Sequence, residues 1–131
     1  MKVTLEMTRE QAEAVMRATE LLARLHIGQF NEITWEFMDR LIEDGHTFDD
    51  YRRDRADELL DHLARTLFGV NKYGRPDVGE KDIMHHRCWT VYATLRHALA
   101  WHDHPEGGIT VNFDKPLAYG EPMPHAEVRD E

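Results

Sequence analysis

Apolar side chains recur at helical spacing through much of the first forty residues of this 131-residue chain, after a short alternating start. Residues 2–7 alternate apolar and polar side chains, which predicts a short strand with one buried face. Thr8 followed by Gln11 has the spacing of a capping box, so a helix is predicted to begin there. Two apolar stripes at spacings of three and four then run as far as Ile42. The first stripe is Ala12, Val15, Thr19, Leu22, His26, Phe30, Ile33, Phe37 and Leu41, and the second is Leu21, Leu25, Gly28, Trp35, Met38 and Ile42.

The length of this apolar pattern leaves two structures open. One straight helix over residues 8–44 would be roughly 55 Å long, whereas a compact domain of this size has a diameter of roughly 36 Å. Either the helix breaks near Gly28, with a hinge at 27–29, or it projects and packs against another copy. The stripes cover more surface than one neighbouring helix would bury, so we expect a homo-oligomer.

Two further helices are predicted. Thr47 is expected to cap the first of them, in which leucines occupy one side and acidic and basic residues alternate on the other. A loop with three glycines and a proline follows over residues 69–80. The next helix runs from about residue 80 to residue 101 and combines an apolar stripe with histidines, aromatic rings and arginines.

The last third of the chain predicts little regular structure. Residues 109–113 alternate as a second strand that is expected to pair with residues 2–7, and residues 115–131 form an extended, proline-containing arm. The predicted fold class is therefore mainly α: a helical bundle of about three long helices, a small two-stranded β element and an extended C-terminal arm. Residues 1–131 form a single domain in this interpretation, with residues 1–114 as its core.

Composition excludes several classes of function. The net charge of −9 disfavours direct DNA or RNA binding and binding to anionic membranes. No apolar run approaches the roughly 20 residues of a membrane-spanning helix. A single cysteine, Cys88, fits a reducing compartment, so a cytoplasmic location is expected. The chain contains no serine, which excludes a serine nucleophile.

A ligand-binding face is predicted on the last helix and the loop before it. Trp89, Tyr92 and Arg96 share one helical face, where rings stack a planar group and a guanidinium binds an anion. The loop adds cations and a further ring, and its backbone N–H groups together with a helix N-terminus are candidates to receive phosphate. The alternative is that the helix residues belong to a core or interface. The loop residues of this predicted site are Lys72, Tyr73 and Arg75.

Metal-dependent chemistry has weaker signals. His102 and His104 bracket an aspartate near the end of the last helix, and two such nitrogens would bind zinc only with a third ligand from elsewhere. A polar helix terminus is the simpler interpretation. No complete catalytic motif is present, so no catalytic residue and no cofactor are assigned. The carboxylate pairs Glu10 and Glu13, then Glu36 and Asp39, resemble the magnesium-binding signature of all-α nucleoside triphosphate pyrophosphohydrolases.

Several short segments resemble small uncharacterised proteins of tailed bacteriophages and prophages. The segments are residues 27–30 (IGQF), 96–101 (RHALAW), 105–108 (PEGG), Pro116 and 122–124 (PMP). The resemblance brings no known activity to any residue, but it implies a small accessory product made in the cytoplasm of an infected or lysogenic host. Proteins of that context often inhibit host defence by binding a host protein or by sequestering a nucleotide signal.

Three functions therefore remain to be separated. The first is a non-enzymatic homo-oligomer that sequesters a small anionic, nucleotide-like ligand. The second is an acidic protein–protein inhibitor of a host defence protein. No cofactor and no direct DNA or RNA binding are expected in either case. The third is a metal-dependent nucleotide hydrolase that uses the carboxylates or the two histidines.

Overall fold

The computed structural model describes residues 1–43, 47–79 and 82–131, and most of the regular structure is helical. This confirms the mainly α class. Among the described helices, none has the combination of length and apolar character needed to cross a membrane. The helices are α1 (Arg9–Leu25), α2 (Glu32–Glu36), α3 (Asp50–Phe68) and α4 (Ile83–Asp103), with short 3-10 turns at Met38–Leu41 and Val111–Phe113.

Helix α1 begins where the capping box predicts. The backbone N–H of Thr8 donates to the Gln11 side chain over 2.9 Å, and the Gln11 N–H donates back to the Thr8 hydroxyl over 3.2 Å. These reciprocal bonds satisfy two N–H groups that a helix start leaves without backbone partners. The start of α1 is thus determined by residues within a single turn.

The long apolar segment breaks at Gly28. Helix α1 ends at Leu25, and Gly28 has a backbone φ of +81°, which favours glycine. The N–H of Gln29 closes the helix end by donating to the Arg24 carbonyl over 3.0 Å. The projecting 55 Å helix does not form, and the predicted oligomer no longer follows from helix length.

The predicted β element of residues 2–7 and 109–113 is wrong. Residues 2–7 have no regular secondary structure, and Val111–Phe113 is a 3-10 turn. Side chains of α4 contact the carbonyls that a strand would need: the Trp101 indole donates to the Phe113 carbonyl over 3.1 Å, and the His97 ring lies 3.1 Å from the Asn112 carbonyl. A two-stranded ribbon alone is marginally stable, so these contacts prevail.

Short antiparallel pairing occurs elsewhere in the described chain. Ile42 pairs with Phe48 and Glu43 with Thr47, just before α3. Thr47 therefore lies in extended backbone. The prediction that Thr47 caps α3 is wrong. Asp49 is the cap, because its side chain accepts the backbone N–H of Arg52 over 3.0 Å.

Asp82 caps helix α4 and anchors it to the turn after α1. Its carboxylate accepts the backbone N–H groups of Met84 at 2.9 Å and His85 at 3.1 Å, and its other oxygen lies 2.9 Å from the His26 ring. Desolvation acts to raise the pKa of Asp82, but the hydrogen bonds from His26 and the two amides outweigh it and hold the pKa below the ordinary value.

The chain divides into two compact units. The first comprises Met1–Ala23 and His86–Glu131, and the second comprises Arg24–His85. In the second unit, Phe30 packs edge-on against Phe68 with ring centroids 5.9 Å apart. The prediction of one domain stays a prediction. The buried apolar residues of the first unit are Ala12, Ala23, Cys88, Ala93 and Leu99, and those of the second are Phe30 and Ala64.

The buried core consists mainly of small side chains. Among the described residues, no large side chain is fully buried. Large apolar side chains instead remain on the surface of both units, including Leu59, Leu63 and Leu67 on α3 and Trp35 on α2. Apolar surface of this extent is unusual for a protein that works alone.

Candidate ligand-binding loop

The loop that follows α3 is held in a defined shape by its own backbone. Val70 and Pro76 form an antiparallel bridge. The N–H of Asn71 donates to the Arg75 carbonyl over 2.8 Å, and the N–H of Asp77 donates to the Gly69 carbonyl over 3.0 Å. The loop is thus a small hairpin that displays residues 72–75 at its tip.

The side chain of Asn71 fixes this tip from inside. Its amide oxygen accepts the backbone N–H groups of Tyr73 at 2.9 Å and Arg75 at 3.1 Å, as in an Asx turn. The guanidinium of Arg65 donates to the Gly74 carbonyl and joins the tip to α3. The tip is therefore ordered before any ligand arrives, which lowers the entropic cost of binding.

These internal bonds change how the loop would bind an anion. The backbone N–H groups of Asn71, Tyr73 and Arg75 all donate within the loop, so they are not directed outward to receive a phosphate as the sequence had suggested. Binding at this loop would rely on side chains instead.

The side chains at the tip are available for that role. The Tyr73 side chain is 75 % exposed, and the ammonium of Lys72 lies over its ring, 5.1 Å from the centroid. Within residues 1–43, 47–79 and 82–131, neither Lys72 nor Arg75 forms an ion pair with a carboxylate. The loop tip therefore carries an exposed ring with one cation over it and a second exposed cation two residues further on, on a chain of net charge −9.

The three predicted ligand residues of α4 lie together in the first unit, whereas the loop belongs to the second. The rings of Trp89 and Tyr92 meet edge-on at 5.1 Å, and the Arg96 guanidinium lies 4.9 Å from the Tyr92 ring. Arg96 also donates to the Tyr92 hydroxyl over 3.3 Å. Burial raises the pKa of Tyr92, against the hydrogen bond from Arg96, and a hydrogen bond with Glu20 raises it further.

This aromatic cluster of Trp89, Tyr92 and Arg96 has contacts of an internal kind. The Tyr92 hydroxyl lies between the Glu20 carboxylate of α1 and the Arg96 guanidinium, whose Nε atom is buried without a hydrogen-bond partner in the described part of the chain. The predicted shared face is present, but the structure places the six predicted ligand residues three in each unit. A ligand role for the α4 residues stays a prediction.

The histidines at the end of α4 contact carboxylates. The two ring nitrogens of His102 lie 2.8 Å from Asp130 and 3.3 Å from Asp103, and His104 lies 3.5 Å from Glu106. Asp103 also accepts two bonds of 2.6 Å from Arg9. In the described part of the chain, no group of three or more His, Cys, Asp or Glu side chains is arranged to hold a metal ion.

The carboxylate pairs that resemble a hydrolase signature are divided between the units. Glu10 and Glu13 lie on α1 in the first unit, where Glu13 pairs with Arg9 at 3.1 Å. Glu36 and Asp39 lie in the second unit, at the end of α2 and in the 3-10 turn. Neither unit by itself contains both pairs, so neither supplies the predicted four-carboxylate set.

Contacts of the C-terminal arm were missed by the sequence analysis. The Tyr119 ring stacks on His86 with centroids 4.2 Å apart and planes 5° apart. Arg87 forms two bonds of 2.9 and 2.8 Å to Glu121. The arm has no periodicity, so its sequence gave no signal of where Tyr119 and Glu121 would dock.

The contact of His102 with the C-terminal arm should depend on pH. Hydrogen bonds to Asp130 and Asp103 raise the pKa of His102 above its ordinary value of 6.5. The stabilising contact is therefore fully present below pH 6.5 and is lost as pH rises through the raised pKa. An NMR titration should show the His102 ring and the Asp130 amide changing together in that upper range.

Asp130→Asn is the control for this titration. It removes the largest cause of the shift, so the pKa of His102 should move back toward 6.5. A His102 that titrates at or below 6.5 in the unaltered chain would contradict the contact.

Comparisons with known proteins give no further guide to this loop or to the histidine end. No family model, curated protein or solved structure matches the chain.

Proposed function

We propose that this chain is a non-enzymatic, homo-oligomeric binding protein that captures a small anionic, nucleotide-like ligand on the loop after α3. The observation that carries the proposal is the exposed Tyr73 ring with the Lys72 ammonium over it, on a loop tip that also exposes Arg75. Neither cation has a carboxylate partner among the described residues. A ring of this kind stacks a base, and the cations hold phosphate oxygens. The fixed shape of the loop supports specific rather than diffuse binding.

The cellular setting belongs to the same proposal. A phage or prophage accessory protein in the host cytoplasm would act by counter-defence, lowering the free concentration of a nucleotide signal. Stoichiometric capture of that kind needs no catalytic group. Packing of helices from several copies would complete the helical bundle that the sequence predicts.

Equilibrium dialysis against a panel of linear and cyclic nucleotides tests the capture directly. We expect retention of at least one nucleotide, and Arg75→Ala should weaken it about tenfold or more, the scale of one charge-assisted hydrogen bond. Tyr73→Ala should weaken binding in the same way by removing the stacking ring. Raised salt should weaken it further.

Tyr51→Ala and Arg55→Ala are matched controls for these two substitutions. Both residues are exposed side chains of the same types on α3, outside the loop. They should leave retention unchanged. If no nucleotide of the panel is retained, or if the control variants lose as much as the loop variants, the proposed capture is wrong.

A second candidate function, acidic inhibition of a host protein, is favoured by apolar side chains at the chain start. Val3 and Leu5 are 86 % and 72 % exposed, although a soluble chain gains by covering such residues. An apolar segment on a chain of charge −9 suits a basic protein partner. A pull-down from bacterial lysate should then capture one stoichiometric protein, and Val3→Glu with Leu5→Glu should abolish that capture.

A further inference from the structure

One side of α3 is apolar and uncovered. Leu59, Leu63 and Leu67 follow one another at spacings of four, and the exposed Val70 lies two residues beyond the helix end. Ala64, one residue after Leu63, is buried, and Phe68, one residue after Leu67, contacts Phe30. The buried side of α3 therefore adjoins the leucine stripe, whose three members remain between 44 % and 65 % exposed among the described residues.

A groove adjoins this stripe along the N-terminal half of α3. Its volume is about 470 Å³. Ala56, Leu59 and Leu60 of α3 form one wall, and Ile33 and Phe37 of α2 and its end form the other. The C-terminal half of α3 instead carries projecting leucines, since Leu63 is 44 % exposed and Leu67 is 65 % exposed.

We propose that this surface of α3 is a twofold interface with a second copy of the chain, in which the two α3 helices lie antiparallel. In a twofold interface the same patch is used on both copies, so a hollow in one half must meet a projection in the other half. An antiparallel arrangement places Leu63 and Leu67 of each copy in the groove of the other. The interface rests on the homo-oligomeric part of the proposed function and identifies the surface that forms the oligomer.

The uncovered area is sufficient for a stable dimer. Phe37, Leu59, Leu63, Leu67 and Val70 are between 44 % and 65 % exposed, which leaves on the order of 500 Å² if a large side chain offers roughly 200 Å². A standard interface buries about 800 Å² on each partner, of which about 450 Å² is apolar. The stripe and groove therefore supply the apolar part of such an interface from one copy.

The experiment measures the mass of the full chain by light scattering over a dilution series. The unaltered chain should be a dimer that dissociates on dilution. Leu63→Glu combined with Leu67→Glu should raise the dimer dissociation constant by more than about 100-fold, because two charges on each copy enter an apolar groove. Both leucines are substantially exposed, so circular dichroism should show that the helices persist.

Leu117→Glu is the matched control. Leu117 is 69 % exposed and lies in the other unit, so its substitution should leave the dimer intact. A chain that is a monomer at high concentration overturns both this interface and the homo-oligomeric part of the proposed function. A dimer that survives Leu63→Glu with Leu67→Glu, or that Leu117→Glu disrupts equally, overturns the α3 interface alone. Nucleotide retention is a separate measurement and is not decided by either result.

Orientation has its own readout in crosslinking of two single-cysteine variants. Arg55→Cys and Thr66→Cys, each on a Cys88→Ala background, place thiols at exposed positions three helical turns apart on one side of α3. After mixing and treatment with a short bis-maleimide, an antiparallel dimer yields mainly the mixed product of the two variants. Predominant self-crosslinking of each variant would show a parallel dimer and overturn the proposed arrangement.

Discussion

Phe30→Ala is expected to destabilise the second unit by about 3–5 kcal/mol, the range for removing a buried aromatic ring. Phe30 is only 9 % exposed, and its ring meets Phe68 edge-on at 5.9 Å. The alanine would lose the transfer free energy of the ring and leave a cavity. In a unit with so few buried large side chains, little else would compensate. Urea unfolding followed by circular dichroism measures the change.

Trp35→Ala is the control for this substitution. Trp35 is a still larger aromatic residue of the same unit, but it is 66 % exposed. Its removal should cost less than about 1 kcal/mol, as for most surface substitutions. Equal losses for the two variants would mean that burial of Phe30 does not hold the unit together.

Gly28→Ala is expected to have the second-largest effect, a loss of about 2–5 kcal/mol from two causes. The backbone φ of +81° is strained for any residue with a Cβ. An added Cβ would also lie 2.8 Å from the Val78 side chain and 3.3 Å from Pro76. The loop after α3 would then have to move from the turn that ends α1. Urea unfolding again gives the magnitude.

Gly74→Ala separates the two causes. Gly74, in the same unit, has a similar φ of +74°, but nothing lies within 4 Å of an added Cβ. It should show the conformational cost alone, about 1–2 kcal/mol. If Gly28→Ala costs no more than Gly74→Ala, the close approach of Val78 to the turn has no energetic weight.

Gly28 matters both for the local turn that ends α1 and for the packing of the loop after α3. It ends α1 by a local mechanism, and it also lets the side chains of Val78 and Pro76 approach the turn. Those two residues follow directly on the loop tip that carries Tyr73. Because Gly28→Ala displaces these two residues, it should weaken the proposed nucleotide retention as well as the stability.

Features that depend on a few neighbouring residues were predictable from the amino-acid sequence. Thr8 and Gln11 cap α1 within one turn, and the apolar spacing yields the helices whatever surrounds them. The shared face of Trp89, Tyr92 and Arg96 was predictable for the same reason, since spacings of three and four meet on any helix.

Features that depend on distant partners were not predictable. Residues 109–113 alternate as a strand would, yet side chains of Trp101 and His97 contact the carbonyls at 113 and 112. Thr47 and Asp49 are both good caps, and only the short pairing of residues 42–43 with 47–48 leaves Asp49 in the capping position. The sequence likewise did not show that the Asn71 side chain accepts the backbone N–H groups of Tyr73 and Arg75, which depends on the folded shape of the loop.

Helix content, the start of α1 and the mainly α class were settled by local spacing, because capping and periodicity act over three or four residues. Packing settled the rest. Packing brought Val78 and Pro76 against Gly28, and it brought Tyr92 of α4 into contact with Glu20 and Arg96. The exposure of the leucine stripe was decided in the same way, since α3 packs through Ala64 and Phe68 and leaves Leu59, Leu63 and Leu67 exposed.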